Sequence, residues 1–460
     1  MNGQLNPSHL EALGKQFSGQ LITPDTPGYN EARSIYNYMI DRRPCVIAQC
    51  ADVDDVVSAI RFGRDQGLEI AVRGGGHSVA GKSLVDDGLV IDMQAINSVT
   101  VNADAGTVKV GGGATMSQLD RGTQPFNLMT TGGRVSTTGV GGFILGGGSG
   151  WLERKYGFAC DNLVAVDLVT ADGNLVHASD DENPELFWGL HGGGGNFGVA
   201  TSFTLRTHSL PVVTAALLLW PPAAAPDILS AYRDFMEQAP EEIGGGSLFL
   251  TGPAEDFVPR ALVGRLAYAV LLVYAGNQSE AREVIAPMLA LGHQGEMIAD
   301  MPYADFQCML DDPPGYRNYW SAEHLNAFPD EAVARFCARA RDMVVPSPSQ
   351  HIILPLGGAV VTGGDEYPLP WRHAPWVVHP FGLWENPADD EQAIQWAHDI
   401  RTDLKPWATE SVYLNFIGDE GEERIIASFG QENYDRLARL KARYDPENVF
   451  HHNQNIQPAS

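Results

Sequence analysis

The residues best suited to chemistry in this chain sit in glycine-rich loops. Four clusters stand out: Arg73-Gly74-Gly75-Gly76-His77-Ser78, Gly111 to Gly113, the run from Gly132 to Gly150, and Gly192 to Gly198. The chain has 50 glycines in 460 residues, where average usage would give roughly 32. Glycine adopts φ > 0 and lets the backbone come close to a ligand, so successive N–H groups can surround a diphosphate without lysines. The run from Gly132 to Gly150 holds a single arginine, Arg134, and no lysine. Tight turns in a β-rich domain are the alternative use of such loops, but the glycine density favours a cradle. Gly193-Gly194-Gly195-Asn196-Phe197-Gly198 has the spacing GxGxxG, yet helix-like Pro184 to Leu190 precedes it and strand-like Val199 to Arg206 follows. A Rossmann turn needs the strand first and the helix after. That reading therefore fails, and no P-loop signature is present.

The elements that must position these loops are short. Asp52 to Gln66 places Val53, Val56, Val57, Ile60 and Phe62 near helical spacing, with Asp52 as its cap. Leu68 to Val72 then reads as a strand running straight into the His77 loop. Thr170-Ala171-Asp172-Gly173 divides two strand-like runs, Leu163 to Val169 and Asn174 to Ala178, as a hairpin turn does. Beyond Leu210-Pro211 the pattern changes to longer helices between apolar strands: Pro226 to Gln238, Ser279 to Leu291, Asp330 to Arg341 and Asp389 to Leu404. A last helix, Asn433 to Tyr444, stops at Asp445-Pro446.

Charge and cysteine content narrow the function classes. Lys and Arg total 30 against 57 Asp and Glu, a formal charge of −27. Such a field disfavours nucleic acid and anionic membranes as partners. Five scattered cysteines give no zinc spacing and no disulfide framework. His451 and His452 are adjacent, and neighbouring histidines rarely chelate one metal, so no metal is expected. The stretch MNGQLNPSHLEALGKQF has no basic start and no apolar core, so no leader is expected and a cytoplasmic location follows.

Read in order, RGGGHSVAG, VSTTGVGGFILGGGSGWLERKYGFACDNL, VTADG, ENPELFWGLHGGGGNFGVAT, YLNF and KARYDPENVFHHNQNI resemble the berberine-bridge-enzyme-like branch of the vanillyl-alcohol oxidase / p-cresol methylhydroxylase flavoproteins. The resemblance spans nearly the whole chain. It implies an α+β fold of two domains: a discontinuous FAD-binding domain, and a substrate domain with an antiparallel sheet and covering helices. The boundaries it suggests are 1–208 and 421–460 for the FAD-binding domain and 209–420 for the substrate domain.

The resemblance also implies roles for particular residues. His77 is expected to bond covalently to the 8α-methyl of FAD, with Arg73, Gly74, Gly75, Gly76 and Ser78 forming the pyrophosphate loop. Thr138, Val140, Gly141 and Gly142 are expected along the isoalloxazine. Asp161, Asn162, Asn196, Phe197, Gly198, Asn453 and Asn455 match cofactor-contact motifs, while His191 stands where many relatives have arginine. A second, cysteinyl link is not expected. Val135 occupies the place of that cysteine, and Cys160 reads as a buried thiol.

Tyr413 matches the family's catalytic tyrosine, with Asn415 beside it. A phenol of ordinary pKa, about 10, is ionised in about one molecule in a thousand at neutral pH, so it needs a neighbouring donor or cation to act as a base. Where relatives often place an acid or amide, this chain has His351 followed by aliphatic residues; His351 is either over the substrate or a strand-end residue. Tyr319, Trp320, His373, Trp376 and His379 are further pocket-wall candidates. The expected activity is that of an FAD-dependent oxidase that takes a hydride from a small alcohol or amine, with O2 as second substrate. A flavin dehydrogenase and a non-catalytic flavin-binding protein are the alternatives. Substrate identity and oligomeric state are not legible.

Overall fold

The computed structural model describes residues 7–312, 314–364 and 366–460. The first six residues of the N-terminal stretch read above for a leader thus lie outside the described residues. Three sheets carry the architecture. A mixed four-stranded sheet has the order Gln20–Ile22, Val46–Gln49, Leu89–Asp92, Ile70–Arg73. Its last two gaps are parallel pairings, spanned by the helix Val53–Asp65, whose N-cap Asp52 accepts from Asp55 N–H. A five-stranded antiparallel sheet follows, in the order Val99–Asn102, Thr107–Gly111, Val199–Arg206, Leu163–Val169, Leu175–Ser179. Its last two strands are the hairpin expected around Asp172-Gly173, with Gly173 at φ 72°.

The third sheet has eight strands. Seven run in the order Gly295–Met301, Val213–Trp220, Leu266–Tyr274, Ile243–Thr251, Gln350–Pro355, Trp376–Trp384, Arg317–Trp320, and Glu323–Leu325 also pairs with Trp376–Trp384. The helices Ala225–Met236, Asp330–Arg339 and Asp390–Leu404 cover one face and share a core with it. Its other face packs into a core continuous with the five-stranded sheet. The single helix expected over Ser279 to Leu291 is instead two, Gln278–Val284 and Ala286–Leu289. Pro287 accounts for the break, since it lacks an N–H and its ring opposes the carbonyl four residues back. Among the described residues, no helix is long and apolar enough to cross a membrane.

The segment after the helix Gln431–Tyr444 returns to the first glycine-rich region. Lys441 is fully buried, and its Nζ donates to Asp445 Oδ2 at 2.7 Å, Asn196 O at 2.8 Å and Phe450 O at 2.9 Å. Asp445 in turn accepts from Val449 and Phe450 N–H. Asn196 closes the junction, donating to Gly193 O and Gln454 O and accepting from Ile456 N–H.

The contact between the helices Met116–Thr123 and Tyr303–Met309 contains a buried acid. Asp120, on the helix Met116–Thr123, has Oδ2 3.5 Å from Gln307 Nε2, and its Oδ1 has no hydrogen-bond partner among the described residues. Burial pushes the Asp120 carboxyl up to about 8. The folded chain therefore holds a proton that the unfolded chain releases near pH 4. The stabilisation is complete below that pH and is lost as pH rises through about 8. Asp120→Asn should flatten this dependence. Thermal melts at about pH 5 and about pH 9 would differ less in the variant than in the wild type, and equal differences would refute the assignment.

Candidate functional site

A cavity of about 350 Å³ opens where the three sheets meet. Ile70 and Val72 from the four-stranded sheet, Val199 and Ala200 from the five-stranded sheet, and Gln350, Ile352 and Leu354 from the eight-stranded sheet all line it. The strand Ile70–Arg73 delivers Gly74, Gly75, Gly76, His77 and Ser78 to one wall. Gly75 lies against Gly139 so closely that a Cβ on Gly75 would sit 2.3 Å from Gly139 N. Two glycine backbones thus lock this loop to the next one. His77 Nε2 lies 2.8 Å from Thr137 Oγ1, and the ring stacks on Tyr36 at 4.0 Å. Burial holds the His77 pKa down to about 4, so the imidazole is neutral at neutral pH.

Glycines line much of this side, among them Gly112, Gly139, Gly141, Gly142, Gly146, Gly192 to Gly195 and Gly198. A Cβ on Gly142 or Gly195 would meet no atom within 4 Å, so both face open cavity that side chains would fill. Asn453 also lines the cavity; its Nδ2 is held by Gly195 O and Phe450 O, while its buried Oδ1 has no partner among the described residues. An acceptor left in this state at a glycine-lined wall fits a ligand that brings an N–H or O–H donor. A narrow, neutral, amide-rich cradle of this kind suits a dinucleotide such as FAD, and the residues present fit that group.

Other residues expected at the cofactor serve the frame instead. Arg73 turns away from the cavity into a buried ion pair with Asp92 at 2.5 Å and a bond to Ala32 O. Val140 is fully buried in the core and is not on the cavity wall, whereas Thr138, Gly141 and Gly142 are. Asp161 accepts from Phe158 N–H and from Arg372, and Asn162 donates to Tyr156 O and Phe158 O, so both brace the loop behind the wall. Asn196 and Asn455 are likewise off the wall, whereas Gly198 is on it. His191 is buried, with Nδ1 2.7 Å from Phe187 O. Cys160 is a fully buried thiol whose pKa burial raises.

The opposite wall corrects three expectations through strand parity. Side chains alternate faces along a strand. In Gln350–Pro355 the cavity receives Gln350, Ile352 and Leu354, so His351 points to the helix-covered face, bonds Phe336 O and stacks on the Phe336 ring at 3.8 Å. In Trp376–Trp384 the cavity receives His379 and Phe381, and Trp376 packs with Tyr232 and Phe328 in the other core. Tyr319 bonds His398 Nε2 away from the cavity, and its neighbour Trp320 lines it. His373 is also off the wall. Gln350, Asp312 and Arg134 line the cavity and were not singled out as pocket residues from sequence. A lone arginine in a glycine run was the available signal for Arg134. Burial and Asp311 raise the Asp312 carboxyl to about 7.

Tyr413 and Asn415 do meet here. The Tyr413 oxygen accepts from Asn415 Nδ2 at 3.0 Å and from Gly148 N–H at 3.2 Å, while Asn415 Nδ2 also reaches Gly142 O at 3.1 Å. Burial outweighs these donors and the nearby Arg134, and pushes the phenol up to about 12. Phe416 separates Tyr413 from His379, with ring centroids at 4.7 Å and 4.1 Å respectively. His379 Nδ1 lies 2.8 Å from Ser321 O, a group that only accepts, so Nδ1 carries the hydrogen and Nε2 is left as an acceptor. Burial lowers the His379 pKa to about 3.

Comparison with known proteins agrees with this geometry. A family model described as FAD binding domain matches residues 44–179, and one described as berberine and berberine like matches 412–457. The chain is 30% identical to (R)-6-hydroxynicotine oxidase of Paenarthrobacter nicotinovorans over 455 residues, covering 96% of this chain and 97% of that protein. It is 29% identical to an uncharacterized FAD-linked oxidoreductase of Bacillus subtilis, covering 96% and 98%. Among solved structures, 6-hydroxy-D-nicotine oxidase from Arthrobacter nicotinovorans superposes with a TM-score of 0.84 at 28% identity, covering 96% of this chain and 98% of that one. A berberine-bridge-enzyme-like protein of Physcomitrella patens, at 21% identity and covering 98% and 99%, shares the fold with a TM-score of 0.85. A cavity walled by amide-rich loops, its tyrosine hood and these full-length similarities lead to one conclusion: the chain is an FAD-linked oxidoreductase, a berberine-bridge-enzyme-like member of the vanillyl-alcohol oxidase / p-cresol methylhydroxylase superfamily.

Proposed function

We propose that this enzyme is an oxidase that takes a hydride from a small alcohol or amine and uses O2 as the final acceptor, with FAD attached through His77. The observation that carries this reading is the shared cavity: a neutral His77 on one wall, and Tyr413 with His379 on the other. When bound, FAD supplies the hydride acceptor and the route to O2. The backbone amides of the Gly74–Gly76 and Gly192–Gly198 loops would hold its phosphates, and Asn453 Oδ1 would take one of its donors. The Paenarthrobacter relative is a 6-hydroxynicotine oxidase, which makes hydroxylated N-heterocycles the first compound class to test.

The roles on the substrate side follow from who donates to whom. Two N–H groups already donate to the Tyr413 oxygen, so its own hydrogen is directed outward as a donor. With its pKa at about 12 the phenol stays protonated at neutral pH. Tyr413 is thus a hydrogen-bond donor here rather than a resting base. His379 complements it as the acceptor, through Nε2. A substrate hydroxyl or amine placed beside Phe416 would donate to His379 and accept from Tyr413, which fixes its C–H bond for transfer. Each bond of this kind contributes about 1.5–3 kcal/mol where charge develops. Tyr413→Phe and His379→Leu should each lower the anaerobic flavin-bleaching rate about 10- to 100-fold with flavin content unchanged. Bleaching at wild-type rates in both variants would refute the pairing. Production of H2O2 in step with substrate use tests the oxidase reading, and bleached enzyme that stays bleached in air would make it a dehydrogenase.

A further inference from the structure

We propose that Glu69, His451 and His452 form a binding site for one divalent cation of the zinc class, which fastens the C-terminal segment to the strand that carries the His77 loop. From sequence no metal is expected at His451 and His452, because neighbouring histidines rarely chelate one ion. The backbone at both is not helical, and both side chains turn to the same side, with ring centroids 4.6 Å apart. Glu69, 383 positions before His452, supplies the third ligand. His451 Nε2 and His452 Nε2 lie 2.5 Å and 3.0 Å from the same oxygen, Glu69 Oε2. The three ligand atoms all fall within 4.8 Å of one another.

The tautomer of His451 is fixed from behind. Its Nδ1 lies 2.7 Å from Asn448 O, a carbonyl that only accepts. In the neutral ring the Nε2 lone pair is therefore aimed at the carboxylate. His452 can meet the carboxylate with a neutral Nε2–H, but His451 in this tautomer has no donor for it, so that contact calls for a second proton on His451 or a metal ion between the two. Two histidines and a carboxylate, with one histidine held by a backbone carbonyl, are the donor set and second-layer support of three-ligand zinc sites. All three side chains are partly exposed, so water can complete the coordination.

The placement gives the ion a structural task. Glu69 immediately precedes the strand Ile70–Arg73, whose continuation is Gly74–Ser78. His452 lines the cofactor cavity, two residues after Phe450 is tied to Lys441. A cation here would close the rim of that cavity from outside.

Flavin-loaded protein stripped with a chelator and titrated calorimetrically with ZnCl2 alone should bind one ion per chain and melt at a higher temperature when saturated. Glu69→Gln and His451→Asn, both at partly exposed positions, should each weaken zinc binding at least about tenfold. His9→Ala, which removes an exposed histidine bonded to Gln66, should leave the isotherm as in the wild type. A flat wild-type isotherm at zinc in excess, or tight binding that survives both site variants, would overturn the proposal.

Discussion

His77→Ala should fold, bind FAD reversibly and lose all of it on acid precipitation, whereas wild-type protein should carry its yellow colour into the pellet. The prediction rests on how the ring is held. Tyr36 stacks on one face at 4.0 Å and Thr137 fixes Nε2 at 2.8 Å, so the imidazole has one orientation over the cavity. Its pKa of about 4 leaves both a lone pair and a neutral ring at neutral pH, the state a nitrogen needs in order to form a bond to carbon. Alanine removes that nitrogen while leaving the Gly75–Gly139 contact that shapes the loop. The cradle therefore survives and the tether does not. Flavin retained in the acid pellet of His77→Ala, or released by the wild type, would sink the attachment.

The largest loss of stability should come from Lys441→Met. The ammonium is fully buried and holds three oxygens from two parts of the chain: Asp445 and Phe450 in the C-terminal segment, and Asn196. Burial lowers its pKa, and Asp445 offsets that by keeping the charged form. Methionine fills the space but leaves the Asp445 carboxylate buried without its cation and removes the Lys441 donor from Asn196 O and Phe450 O, the latter keeping only Asn453 Nδ2. Breaking one partner of such a pair typically costs about 3–5 kcal/mol. Denaturant titration at fixed protein concentration measures this. A change below about 1 kcal/mol would mean that the pair does not hold the segment. The two variants should fail in opposite ways. Lys441→Met should keep flavin in the acid pellet yet unfold early, and His77→Ala should lose the flavin and unfold late.

The glycine loops were readable because their context is local. Pro184–Gly189 before, and Val199–Arg206 after, the GxGxxG spacing were both visible in sequence, and the structure places them there. The same holds for the Gly173 hairpin and the Asp52 cap. Strand parity in the eight-stranded sheet was not readable. Gln350–Pro355 and Trp376–Trp384 are buried almost throughout, since helices cover one face and the cavity and core take the other. Such strands are apolar on both faces and show no alternation. His351 and Trp376 were thus candidates alongside His379 although they lie on the opposite face of their strands from Ile352 and His379. Arg73 failed differently. The family resemblance put it in the pyrophosphate loop, but Asp92, on the neighbouring parallel strand, holds its guanidinium.

The closure by Asn196 has a consequence for how the protein is made. The wall at Gly193 to Gly198 is completed by Gln454 and Ile456, which lie 258 and 260 positions beyond Asn196. A nascent chain that has emerged through all four glycine clusters still lacks that wall, and lacks Asn453. Flavin capture must then wait until translation has passed residue 456.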